Sequence, residues 1–141
     1  MIETDLAGSS ATECVELTFA AGLPGFPDAH RFHLALWGPE GTPFMLMTAA
    51  EDPDVGFVVV PPWVFYPSYE FDLDDGTAER LALDRPEDAV VFCVVTLRDR
   101  PQDATVNLLG PIVVNRHTLE AAQVVLPTSG YSVRAPLAIA S

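Results

Sequence analysis

Two carboxylates are the first residues in this chain whose spacing could do chemistry. Glu70 and Asp72 alternate with aromatic and aliphatic residues in Tyr69-Glu70-Phe71-Asp72-Leu73. On an extended strand, residues two apart share a face at roughly 7 Å. Glycosidases hold their paired acid and base at about this separation. The simpler reading is stronger. Tyr69, Phe71 and Leu73 would share the buried face, leaving Glu70 and Asp72 on the outer one. Charge there blunts sheet-to-sheet association.

The next candidate is Asp72-x-Asp74-Asp75-Gly76, which looks like the start of a calcium loop. An EF-hand needs Gly at the sixth loop position and Glu at the twelfth. Counted from Asp72, Gly76 falls fifth and Leu83 twelfth. An acidic turn entering a helix, with Asp74 or Asp75 at its positive end, explains the same residues. His30-x-x-His33 has ligand-like spacing but no companion cluster, and strand geometry would point the two rings to opposite faces. The chain contains no Gly-x-Ser-x-Gly elbow and no Gly-rich phosphate loop. The expectation is no catalytic residue, no metal, no cofactor and no enzyme activity.

Composition narrows the partners. Acidic residues number 20 against seven basic ones, giving a net charge of −13. Every basic residue is Arg. Nucleic acid requires cationic groups to neutralise phosphates, so direct binding to DNA or RNA is not expected. An anionic membrane would repel the same surface. A basic protein partner would be drawn to it. The longest apolar run, Val55 to Pro67, is broken by prolines and too short to span a bilayer. The N-terminus lacks the basic start and apolar core of a signal peptide. A cytoplasmic protein is expected. Cys93 sits in an apolar run and reads as a buried small side chain. A disulfide with Cys14 stays open, without any sign of a disulfide framework.

Thirteen prolines and nine glycines are scattered through 141 residues. Many short elements joined by turns favour an all-β fold. Period-two or buried runs predict strands over 14–19, 31–36, 44–47, 56–60, 69–73, 89–97, 104–109, 112–115 and 121–126. Pro24-Gly25 suits a type II turn that folds Leu23 and Phe26 back onto the core. Residues 63–66 suit one helical turn. Thr77 to Leu83 is the one clear helix, stopped by Pro86. Gly110-Pro111 suggests a bend at a barrel corner. The tail from Ser132 onward reads as loosely held. The fold class expected is all-β and mainly antiparallel. It is a small closed or partly open β-barrel with one or two short helices, forming a single domain over 1–141.

Several blocks, in order, resemble the FliW family of flagellar assembly factors. They are Gly22-Leu23-Pro24-Gly25-Phe26, Glu51-Asp52-Pro53-Asp54 with Phe57-Val58-Val59, and Tyr69-Glu70-Phe71-Asp72-Leu73. Asn107-Leu108-Leu109-Gly110-Pro111-Ile112-Val113-Val114-Asn115 is the most specific block. Gln123-Val124-Val125-Leu126 and Tyr131-Ser132-x-Arg134-x-Pro136-Leu137 complete the series. The resemblance implies two protein partners, flagellin and the RNA-binding translational regulator CsrA. It implies a protein that sequesters CsrA, relieving repression of flagellin translation, until flagellin competes for it.

An acidic antagonist suits a basic RNA-binding regulator. The residues expected to contact partners are Glu51, Asp52, Tyr66, Tyr69, Glu70, Asp72 and Asn107. On so small a chain, two standard footprints are expected to overlap. A chaperone that binds flagellin alone is the alternative. A small-ligand or enzymatic barrel is a further one, and would need a deep pocket with convergent polar groups.

Overall fold

The structure, a computed structural model, describes residues 15–20, 22–23, 26, 28–36, 43–52, 54–96, 104–126 and 130–137. Cys14, the Pro24-Gly25 pair, the loop at 38–42 and the polar turn at 98–103 lie outside these. Among the described residues nine strands form: β1 (Val15–Phe19), β2 (Arg31–Leu36), β3 (Met45–Ala49), β4 (Gly56–Val60), β5 (Ala89–Thr96), β6 (Thr105–Val106), β7 (Ile112–Asn115), β8 (Glu120–Gln123) and β9 (Ala135–Pro136). The helix α1 spans Asp75–Arg80.

The strands join one sheet in the order β4-β3-β2-β1-β8-β7-β5-β6-β9, and β5 also pairs with β4. That last pairing closes a seven-stranded barrel, with Val58 opposite Val95 and Val60 opposite Cys93. Closure removes free edges from those seven strands. β1 and β8 run parallel; the other pairs are antiparallel.

Alternation builds the barrel interior. Leu17, Phe19, Phe32, Leu34, Met45, Met47 and Ala49 all point inward and are buried, while Glu16, Thr18, Arg31 and His33 face out. Phe92, Ile112, Val114 and Ala121 complete this core from the other side. Phe19 and Phe32 meet edge to face at 5.3 Å.

β5 does not alternate in polarity because both its faces are covered. Phe92 points into the barrel, whereas Val91 and Val113 lie under Leu81, Phe71 and Leu73 on the outside. Cys93 and Val95 join a third cluster with Tyr69, Leu108 and Leu137. β6 and β7 both run against β5, separated by a bend at residues 107–111. This is the corner expected at Gly110-Pro111. A Cβ on Gly110 would stand 2.9 Å from the Gln123 amide nitrogen, and that amide donates to the Gly110 carbonyl at 2.9 Å.

Four expectations are corrected. Residues 69–73 are extended but belong to no ladder. Within 104–109 only Thr105–Val106 is strand: Leu108 N–H turns to the Ser132 carbonyl, and the Asn107 carboxamide accepts from the Leu109 and Gly110 N–H groups. Residues 124–126 leave β8, with Val124 and Leu126 donating to the carbonyls of Pro111 and Leu109. The tail is not loose through its described part: Ala135 pairs with Val106, and Leu137 is buried.

The helix starts at an N-cap. Asp74 accepts from the Thr77 N–H at 3.0 Å and from its hydroxyl at 2.7 Å. These bonds hold the Asp74 carboxyl below its ordinary range. The acidic turn is therefore a helix cap, one of the two roles its residues suggested.

The helix begins two residues before the expected Thr77 and ends at Arg80, with Leu81 as its C-cap, short of the expected Leu83. Ala82 takes a left-handed φ of 55°, and Leu83 N–H bonds back to the Ala78 carbonyl at 2.8 Å. Together with the bond from Ala82 to Glu79, this is a Schellman ending. Buried Asn115 secures it, donating to the carbonyls of Leu81 and Ala82 at 2.7 and 3.2 Å.

Candidate protein-binding surfaces

The chain leaves β4 through Pro61-Pro62, which cannot donate to a ladder. Pro62–Val64 forms a single 3-10 turn. It lifts Trp63 and Val64 to the surface at 42% and 51% exposure. The Trp63 indole N–H then donates to the Tyr69 carbonyl at 2.6 Å, closing the loop between them.

Beyond Tyr69 the burial keeps period two without strand pairing. Tyr69 is buried, Phe71 and Leu73 are half-buried, and Glu70 and Asp72 are exposed. Side chains substitute for the missing ladder. The Glu70 N–H donates to the Tyr131 hydroxyl at 3.1 Å, and that hydroxyl donates to the Glu70 carbonyl at 2.9 Å. The Tyr66 hydroxyl donates to the Pro136 carbonyl. The Tyr69 hydroxyl donates to the Leu108 carbonyl at 2.7 Å. The rings of Tyr69 and Tyr131 lie 4.6 Å apart.

The result is an acidic and aromatic strip fixed to the barrel. A 500 Å³ groove runs along one side, between Trp63, Phe71 and the outer faces of Val91 and Val113. A second, of 400 Å³, lies between Phe65, Tyr66 and Tyr131.

The expected contact residues fall into separate groups. Tyr66, Glu70 and Asp72 are together on this strip. Tyr69 lies beneath it at 3% exposure and supports it. Asn107 stands at the barrel corner, where its carboxamide oxygen accepts from Leu109 and Gly110 N–H at 3.1 and 2.9 Å. Glu51 and Asp52 are at the β3–β4 turn, beyond the opposite end of β4. The five residues of that strand span about 17 Å. Glu51 pairs with Arg31 at 2.9 Å. Asp52 accepts from the Asp54 N–H at 3.2 Å. Trp63 and Val64 were not among the expected contacts; the sign available was an apolar pair directly after Pro61-Pro62.

No arrangement of reactive groups emerges among the described residues. No set of three or more His, Cys, Asp or Glu is placed to hold a metal ion. His33 pairs with Glu16 at 3.4 Å, and His30 uses Nδ1 on the Phe19 carbonyl at 2.9 Å. Burial pushes the Cys93 thiol up to about 12. It raises the Tyr69 phenol as well, with Cys93 adding to the effect. Both groups stay protonated at neutral pH. No described helix is long and apolar enough to cross a membrane.

Comparison with known proteins gives one consistent result. The family model for FliW protein matches residues 2–137. The flagellar assembly factor FliW of Bacillus subtilis (strain 168) is 38% identical over 121 residues, covering 86% of this chain and 84% of the relative. That of Treponema pallidum (strain Nichols) is 36% identical over 126 residues, covering 89% and 83%. A crystal structure of the flagellar assembly factor FliW superposes with a TM-score of 0.81 at 33% identity, covering 89% of this chain and 87% of the other.

Proposed function

The chain belongs to the FliW family, and from that premise we propose that it is a flagellar assembly factor acting in the cytoplasm through protein binding. It holds a CsrA-type RNA-binding regulator and so relieves repression of flagellin translation. Flagellin is the competing partner that draws it away. The observation that carries this reading is the strip from Trp63 to Asp72. It combines exposed aromatic and aliphatic groups with unburied carboxylates on a braced scaffold.

A protein that binds RNA presents cationic groups. An acidic surface attracts such a protein and speeds encounter, while buried aromatic anchors hold an interface once formed. Tyr66, Glu70 and Asp72 are assigned to direct contact. Tyr69 holds the strip in place, and Asn107 sets the adjoining corner. Glu51 and Asp52 form a second acidic patch. Contact at a surface of CsrA remote from its RNA site, shifting its conformation, is the route that the family resemblance favours.

Size does not force the two partners to overlap. Two standard footprints of about 800 Å² each are roughly a fifth of the 8264 Å² surface. Competition then requires either a shared strip or negative coupling between sites. Co-purification with flagellin and with CsrA, separately and together, tests the reading. Retention of flagellin without any CsrA would reduce it to a flagellin chaperone.

A further inference from the structure

At the β3–β4 turn, away from the Trp63–Asp72 strip, a groove of 330 Å³ opens beside residues 26–29, which lie between β1 and β2. Its floor is apolar, formed by Phe26, Ala29, Ala49 and Val55; its rim carries Asp28, Glu51 and Asp52. The volume is at the small end of the range of about 300–1,000 Å³ for ligand clefts, enough for one long side chain.

Phe26 is 39% exposed, yet it is held firmly. Its ring meets Phe57 edge to face at 5.7 Å. Its backbone exchanges two hydrogen bonds with Leu23, at 2.8 and 3.2 Å, and accepts a third from Ala29 at 3.1 Å. The opposite wall is equally fixed, with Ala49 N–H on the Val55 carbonyl and Val55 N–H on the Asp52 carbonyl, both at 2.9 Å. Arg31 satisfies Glu51. A rigid aromatic ring thus lies in a groove whose rim carries Asp28 and Asp52, neither paired with a cation among the described residues.

Guanidinium is the group that fits both features. It is weakly hydrated, stacks on aromatic faces and donates to carboxylates. We propose that this groove docks a basic segment of a protein partner, with one Arg side chain lying across Phe26 and reaching the carboxylates of the rim. The proposal rests on the reading of the chain as a protein-binding factor only in taking the Arg to come from a protein. It places a second docking site at the other end of β4 from the aromatic strip.

The test is an NMR titration of the full chain, isotope-labelled, with the capped peptide acetyl-Gly-Leu-Arg-Leu-Arg-Gly-amide. A peptide with citrulline in place of both Arg residues is the neutral control. Saturable shifts at Phe26, Ala29, Ala49 and Val55 are expected from the Arg peptide and none from the control. Asp28→Asn with Asp52→Asn should weaken binding about fivefold, the scale of two exposed ion pairs. Asn at position 52 can still accept from the Asp54 N–H, and a thermal melt checks each fold. Phe26→Leu keeps an apolar floor without the aromatic face and should weaken binding too. Shifts absent from the groove, shifts that spread over the acidic surface without saturating, or equal affinity in the Asn double variant would overturn the proposal. Neither CsrA nor flagellin enters this experiment, so its failure is distinct from failure of the partner assignment.

Discussion

The Tyr69 hydroxyl donates to the Leu108 carbonyl at 2.7 Å inside the protein, joining segments 39 residues apart. This bond ties the acidic and aromatic strip to the barrel corner. Leu108 is buried next to the bend that Asn107 shapes, so the position of the strip depends on the same corner that separates β6 from β7.

Tyr69→Phe should therefore destabilise the fold while keeping ring packing. It leaves a buried carbonyl without its partner, a loss of about 1–3 kcal/mol. Urea denaturation checks this at constant m-value. A midpoint equal to the parent's would mean that the hydroxyl does not brace the strip.

Ala82→Gly should have the opposite sign. Ala82 is exposed and ends α1 at a φ of 55°, a conformation that Gly adopts without a steric penalty from Cβ. A gain of about 0.5–1 kcal/mol is expected, since the released strain is partly offset by the freer unfolded chain. The same denaturation measurement reads it. A loss of stability would contradict the left-handed cap.

Much of this architecture was legible from period-two patterns, because burial follows side-chain direction. Phe32 and Leu34 face in and Arg31 and His33 face out, as their alternation predicts. The limits lie where hydrogen bonds come from distant side chains. Tyr69 to Leu73 shows strand-like alternation, yet Tyr131 and Trp63 supply its partners in place of a neighbouring strand. No local pattern announces a phenol 61 residues away. The pattern predicts a helix running to Leu83, but Asn115 and the left-handed Ala82 end it at Arg80. The surface residues were legible in part. Glu70 and Asp72 point outward as the alternation requires, whereas the groove at Phe26 exists only because the barrel brings residues 26–29 beside 49–55.

Glu70→Lys combined with Asp72→Lys tests the charge on the strip. Both residues are exposed and their side chains brace nothing among the described contacts, so stability should stay within about 0.5 kcal/mol of the parent. Binding to CsrA should weaken, with the association rate falling most, and the difference should shrink at high salt. Surface plasmon resonance at two ionic strengths reads all three. Equal affinity at low salt would remove the strip from the CsrA interface.

The partner switch itself is tested most directly by titrating flagellin into a preformed complex of this chain with CsrA and following the mixture by size-exclusion chromatography. Competition through a shared strip, or negative coupling strong enough to act as a switch, predicts that CsrA leaves as flagellin enters and elutes free at saturation. A stable ternary complex that retains CsrA at saturating flagellin would contradict the account.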